Sequence, residues 1–460
     1  TTMTNLINRF YDVQKGSITY DPLKRAFRHG ADIDAKAVAA EAVGMLGIVA
    51  DVPGLRCLAV NSVVFNNAGC YIFQELGYAL AWGAQWMTLL TEAGVKPTVV
   101  ADRVKFNMGV SSNYFMELAK FRAARMLWAQ IAEQYKPIEK EDCKMALHAV
   151  TSRFNQTLYD AHVNLLRSQT EAMSAALAGV DSLTVTPFDV PYKTPDEFSE
   201  RIARNQQLLL KEESHLDKVA DPAGGSYYVE TLTVSIAKEA WKLFLEIEEK
   251  GGYTEAYKAG FIAERIKASA AAKDKNIATR RQTLLGANQY PNFTEVAGKE
   301  ITAESVTRKQ AEGNVLVPYR GAMAFEEMRL QVDRSGKEPK AFMLTCGNLG
   351  MARARSQFSC NFFACAGIKV IDNTYFKSIE EGAKAALESK AQIVVVCASD
   401  DDYAEAAPKV KELLGGKAIL VVAGAPACAP ELEAQGITNF INVKSNVLET
   451  LKFYLKEMGI

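Results

Sequence analysis

Apolar and polar positions follow two periods along this chain. Short apolar runs at 18–20, 56–64, 102–106, 144–150 and 182–186 read as strands. Each is followed by a stretch with apolar positions three or four apart, which predicts a helix. A helical segment at 6–11 precedes the first of them. One strand in about every 40 residues, with a helix between, is the rhythm of a parallel βα array. The barrel of TIM type is the expected closure of such an array, but it has eight strands and the count here is five. Either further strands are hidden in the pattern, or three more units, on the order of 120 residues, precede Thr1 and the numbered chain opens part-way through a barrel.

Between 195 and 275 the pattern changes to long helices. Phe198, Ile202, Leu208 and Leu209 form one apolar stripe, 221–230 is a glycine-rich turn, and 234–247 is a second amphipathic helix. Residues 276–339 mix Gly, Pro, Asn and charge around one helical stretch at 325–332 and read as a linker. From 341 onward the alternation returns. Strands are expected at 341–346, 368–371, 392–397, 418–423 and 438–442, with a turn at 347–350 and a helix at 354–366 closed by Gly367. That is the plan of a flavodoxin-like domain. The expected organisation is part of a TIM-type barrel over 1–195, a helical extension and linker over 196–339, and a flavodoxin-like domain over 340–460. There is no short internal repeat and no low-complexity tract.

Composition narrows the function classes. With 460 residues, 48% of them hydrophobic, the chain can bury more than one core. Its net charge of -1, with both signs interspersed, carries neither a nucleic-acid footprint nor a polybasic membrane surface. No apolar run approaches the roughly 20 residues that span a bilayer, and a cytoplasmic protein is expected. The eight cysteines include no CxxC pair and sit in apolar surroundings, so reduced, buried thiols are expected.

Candidate chemistry is sparse. Gly347-Asn348-Leu349-Gly350 has backbone donors suited to a phosphate, but it lacks the dinucleotide fingerprint and the P-loop Lys-Ser/Thr, and it reads first as a tight turn. Arg353 and Arg355 follow it, as solvated or partner-facing cations before anion ligands. Asp400-Asp401-Asp402 resembles a metal cluster, yet it stands where a helix begins and compensates its dipole. The turn Asp221-Pro222-Ala223-Gly224-Gly225-Ser226 loses a donor at its proline and reads as structural. Of the histidines His29, His148, His162 and His215, only His148 falls on a barrel strand, near the end that faces a TIM-type active site. No Ser/His/Asp or Cys/His grouping is visible.

Three longer stretches carry a resemblance. Phe115-Met116-Glu117-Leu118-Ala119-Lys120-Phe121-Arg122 continuing to Trp128, then Arg201-Ile202-Ala203-Arg204-Asn205, then Asp221 through Gly225-Ser226-Tyr227-Tyr228-Val229-Glu230, are similar in order and spacing to the methylmalonyl-CoA mutase family. The similarity continues through Leu285-Gly286-Ala287-Asn288-Gln289-Tyr290 into the C-terminal domain. In that family a TIM barrel takes acyl-CoA through its centre and a flavodoxin-like domain carries adenosylcobalamin.

The departures from the family pattern point to its small-subunit branch. Catalytic members carry Asp-x-His-x-x-Gly after the first strand of the C-terminal domain, the His coordinating cobalt. Here Gly350-Met351-Ala352-Arg353-Ala354-Arg355 stands in its place. Where they carry Tyr-His-Met-Gln-Glu-Ala-Gly, this chain has Val63-Val64-Phe65-Asn66-Asn67-Ala68-Gly69, and Val64 has no donor for a carbonyl. Where they carry Arg-Thr-His-Ser-Gln, it has Ala146-Leu147-His148-Ala149-Val150. The resemblance therefore implies the small (β) subunit of a heterodimeric mutase, with no catalytic residue and no bound cofactor. Ala352 replaces the cobalt ligand, and adenosylcobalamin is expected in the large catalytic partner subunit. Arg103 and His148 are the implied substrate-binding remnants, although Lys105 stands where the arginine's family neighbour is Ser. Two other readings stay open: an active mutase with an unaligned cofactor site, and an acyl-CoA-binding or sensor module.

Overall fold

Asp21 ends the first strand and starts the first helix. Its carboxylate accepts a hydrogen bond from the Lys24 amide at 2.9 Å, and Pro22 occupies the first helical position, where a missing N–H costs nothing. The computed structural model describes residues 16–460 except Pro53 and Thr374, and the helix expected at 6–11 lies outside the described residues.

Five strands follow in chain order: β1 Gly16–Tyr20, β2 Leu55–Asn61, β3 Val104–Val110, β4 Leu147–Thr151 and β5 Ser182–Thr184. They pair in the order β1-β2-β3-β4-β5, all parallel, as a curled half-barrel of the TIM-like kind. Register aligns Asn61 with Asn107, Asn107 with His148, and His148 with Ser182. Cys57, Leu58, Ala59 and Val60 are all buried, as expected of a parallel strand covered on both faces. The helix Tyr227–Glu249 lies against both Ile72–Glu92 and Tyr114–Ala132. Gly83 lets Phe106 of β3 and Trp128 of Tyr114–Ala132 pack closely against Ile72–Glu92, since a Cβ there would stand 2.6 Å from their rings.

β1 opens two residues earlier than expected and β5 ends two residues earlier, while β2, β3 and β4 shift by three residues or more at one end, each for a local reason. β2 stops at Asn61 because Val63–Asn67 turns into a short helix. β3 starts at Val104 because Pro97 opens a helix that runs to Arg103, and it continues to Val110 through Asn107 and Gly109, which interrupt the apolar pattern. β4 begins at Leu147, after a 3-10 turn at Lys140–Cys143. His148 is therefore the second residue of its strand, at the amino end. The expectation that it lies near the active-site end is corrected accordingly.

The chain divides into two compact units. The half-barrel belongs to the first, with 164–272 and 308–320; the second holds 157–163, 273–307 and 321–460. The stretch 196–339 is thus shared between the two. The second unit contains β6 Lys340–Thr345, β7 Lys369–Ile371, β8 Ile393–Cys397, β9 Ile419–Ala423 and β10 Phe440–Ile441. They form one parallel sheet in the order β10-β9-β8-β6-β7, with the fully buried β8 at its centre. Counted within this unit from the β7 edge, the order is 2-1-3-4-5. The helix after β6 is Leu349–Ala364, five residues earlier in its start than expected, because the Asn348 side chain caps it by accepting from the Met351 amide at 3.1 Å.

All eight cysteines are free, and seven are buried. Among the described residues, no helix is long and apolar enough to cross a membrane.

Candidate functional site

The carboxyl end of the half-barrel is where a TIM-type fold places its chemistry. Here that end is filled by a paired polar network. Lys120, wholly buried, stands 2.8 Å from Glu75 and 2.5 Å from Glu117, and donates to the Gly109 carbonyl at 2.5 Å. Glu75 also accepts from the Gly109 amide at 2.6 Å, from Ser62 at 3.1 Å and from Asn66 at 3.1 Å. Burial raises the Glu75 carboxyl, with the nearby Lys120 ammonium opposing it. Burial alone would lower Lys120, but the two carboxylates outweigh it and hold the ammonium charged.

The network extends across the sheet. Asn107 donates to Asn61 at 2.6 Å, and Asn61 in turn to Asp21. Ser152 donates to Asn66 at 2.8 Å, while its amide donates to the buried Glu171 at 3.0 Å. Burial sets the Glu171 carboxyl well above its usual range. These donors are turned toward partner side chains and backbone, which gives the network a rigid, structural character. Val64 is buried and contributes only aliphatic surface.

The amino end of the same sheet is open. A cleft of about 860 Å³ is lined by the first residues of successive strands, among them Ser17, Arg56, Lys105, His148 and Ser182. His148 is held by Ser182 Oγ at 2.8 Å from Nδ1 and by Thr184 Oγ1 at 3.1 Å from Nε2. Burial, with a smaller contribution from the Lys105 charge, pushes its pKa down to about 4, so the imidazole is neutral at pH 7. Lys105 donates to Ser17 at 2.9 Å, and its pKa is lowered first by burial and then by Arg56.

Arg103 lies elsewhere. Its guanidinium donates to the carbonyls of Val52 and Leu55, at 2.6 Å each, and pins the loop that enters β2. The fold does not bring the two candidate remnants together. Arg56 and Ser182 escaped notice in the sequence; the signal that would have found them is the register, which sets Arg56 beside Ser17 and Ser182 beside His148. His29, His162 and His215 are exposed.

At the carboxyl end of the second sheet, Gly347 adopts a φ of +72°, and a Cβ there would run into Asp402. Asp402 accepts from Ser399 Oγ at 2.6 Å and from the Asn348 amide at 3.3 Å, and these bonds lower its pKa, Ser399 foremost. Asp400 pairs with Arg355 at 2.9 Å, and the Tyr375 hydroxyl donates to the Gly347 carbonyl at 2.7 Å. Two of the three aspartates thus hold the loop shut. Asp402 precedes the helix at Tyr403 without capping it through its side chain. Ala352 is fully buried behind this loop, while Arg353 is exposed. Among the described residues, no three His, Cys, Asp or Glu side chains are grouped to hold a metal ion. The turn at Asp221, where φ is +44°, is tied to Arg122 at 3.0 Å.

Comparison with known proteins adds the following. The family model described as methylmalonyl-CoA mutase matches residues 11–320. The chain is 55% identical over 449 residues to the methylmalonyl-CoA mutase small subunit of Porphyromonas gingivalis, covering 97% of this chain and 72% of that protein. It is 33% identical over 453 residues to the protein of the same name from Streptomyces virginiae, covering 98% and 71%. A probable methylmalonyl-CoA mutase small subunit of Mycobacterium tuberculosis is 34% identical over 429 residues, with 91% and 67% covered.

Proposed function

The chain belongs to the methylmalonyl-CoA mutase family, and from that membership we propose that it is the non-catalytic small subunit of a heterodimeric, cytoplasmic enzyme. The large subunit carries out the interconversion of methylmalonyl-CoA and succinyl-CoA with adenosylcobalamin. This chain binds that subunit and stabilises it. Its second unit is a flavodoxin-like domain by strand order, 2-1-3-4-5, which supports descent from a cobalamin-carrying domain.

One observation carries the reading. Ala352, in the position of the family's cobalt ligand, is a buried methyl group with no lone pair to give a metal. The surrounding loop does not fit a corrinoid's lower ligand either, because Asp402, Arg355 with Asp400, and Tyr375 occupy it with contacts of their own. The polar network between Glu75, Glu117 and Lys120 supports the same reading for the barrel: its donors are engaged with one another, and Val64 offers none to a thioester carbonyl. Purified large subunit with and without this chain is the test. Higher thermal stability and turnover in the mixture are expected, and identical values refute the role.

A second reading is an acyl-CoA-binding module. It is favoured by one feature, the open cleft in which Lys105, Arg56 and neutral His148 meet. Calorimetry with acyl-CoA separates the two: tight binding by the isolated chain replaces the purely structural role.

A further inference from the structure

Three carboxyl groups and one ammonium are buried together where helices of the first unit meet the carboxyl end of its sheet. Glu75, Glu117 and Lys120 are wholly buried, and Glu171, on the helix Val163–Leu177, is 2% exposed. Lys120 serves two of the three carboxyl groups. Its ammonium has three N–H donors, and they meet Glu75 at 2.8 Å, Glu117 at 2.5 Å and the Gly109 carbonyl at 2.5 Å. The two carboxylates that share it are supported further by neutral donors, the Gly109 amide on Glu75 at 2.6 Å and the Ser111 amide on Glu117 at 2.9 Å.

Glu171 has no such counter-charge. Its oxygens accept from neutral groups, the Ser152 amide at 3.0 Å and the Asn155 side-chain amide at 3.1 Å, and it stands in no ion pair among the described residues. The groups facing it deepen the imbalance. Glu117, on Tyr114–Ala132, disfavours a second negative charge beside its own, while Arg167, one turn away on Glu171's own helix, acts more weakly than either hydrogen bond. Gln206 of Glu197–Leu208 meets the same helix at Ser168 and is neutral. A carboxylate shut away from water without an ion-pair partner takes up a proton rather than keep its charge. Burial is accordingly the largest influence on Glu171 and raises its pKa well above the usual range.

We propose that this cluster keeps one proton at neutral pH, lodged on Glu171, and that its release to solvent at higher pH loosens the chain leaving β4. The residues that Glu171 holds, Ser152 and Asn155, are the ones that follow that strand. Ser152 Oγ in turn donates to Asn66 at 2.8 Å and accepts from the Phe154 amide at 3.2 Å. Ionised, Glu171 repels Glu117 across the junction of Val163–Leu177, Tyr114–Ala132 and this segment.

The variant Glu171→Gln has the shape of the neutral acid and cannot ionise. A carboxyl whose folded pKa lies above its unfolded value contributes stability that is full below the unfolded value and is lost as pH rises through the folded one. Urea unfolding between about pH 5 and about pH 8 is therefore expected to show the wild type losing about tenfold in its folding equilibrium constant per pH unit relative to the variant, for as long as the folded state keeps the proton. A ratio that does not change with pH overturns the proposal. Hydrogen exchange at the Ser152 amide, taken relative to the variant, is expected to quicken over the same range, and unchanged protection overturns the loosening. Infrared spectroscopy reads the proton in the folded protein: the C=O stretch of a protonated carboxylic acid is expected in the wild type at pH 7 and is expected to be missing from Glu171→Gln. Its absence from the wild type overturns the proposal whether or not the variant folds. Its loss in Glu75→Gln, with retention in Glu171→Gln, moves the proton to Glu75 and overturns the assignment as well.

Discussion

Replacing Lys120 by methionine removes the one buried cation between two buried carboxylates. The methionine fills a similar volume, so the loss is mainly electrostatic. Glu75 and Glu117 are left without their shared counter-charge, and the Gly109 carbonyl loses its side-chain donor. Breaking a buried pair by removing one partner costs on the order of 3–5 kcal/mol, a large share of the roughly 5–15 kcal/mol that holds a domain folded. The four tryptophans, Trp82, Trp86, Trp128 and Trp241, all lie in the first unit, so their fluorescence during urea unfolding reads that unit alone. A fall of at least about 3 kcal/mol is expected at pH 8. The deficit is expected to shrink toward pH 5. Burial already raises the Glu75 pKa, and a carboxyl raised in the folded state adds stability at low pH that is lost as pH rises through its folded pKa. Removing all three charges, with Glu75→Gln, Glu117→Gln and Lys120→Met together, is expected to recover part of the loss. A loss below about 1 kcal/mol for Lys120→Met alone would refute the account of the network as a charged hub.

Two further outcomes follow from burial. Burial holds the Cys57 and Cys346 thiols near 11 and Cys360 near 12, so native-state alkylation read by mass spectrometry is expected at half-buried Cys428 alone, with the other seven reacting after unfolding; rapid labelling of Cys346 contradicts the closed second sheet. Proton NMR of the His148 ring is expected to titrate near pH 4. Because this folded pKa lies below the usual value near 6.5, its contribution to stability is full above that value and is lost as pH falls toward 4; a midpoint at 6.5 means the ring is not buried beside Lys105.

How much of this was legible in the sequence varied with the kind of signal. The run Ile393–Cys397 is apolar throughout and could only be a central, doubly covered strand, and the rhythm of strands and helices gave both parallel sheets. Boundaries failed where polar residues serve a buried purpose. Asn107 looks like a strand end in the sequence, yet in the fold it is bonded to Asn61 in the middle of β3. Asn348 looks like part of a turn and is the cap that starts a helix early. The position of His148 depended on where β4 begins, so an error of three residues moved it from one end of the sheet to the other. The Glu75–Lys120 pair was invisible because its members lie 45 residues apart on helices whose charges read as solvent-facing. By contrast, the fold shows Ala352 as a buried side chain, while its place in the family's ligand position rests on the resemblance alone.

Adenosylcobalamin titrated into the isolated chain, followed by the corrin absorption spectrum, tests the central claim most directly. No saturable change is expected, because the side chain in the ligand position is a buried methyl group. A saturable shift to a histidine-coordinated spectrum would contradict the account.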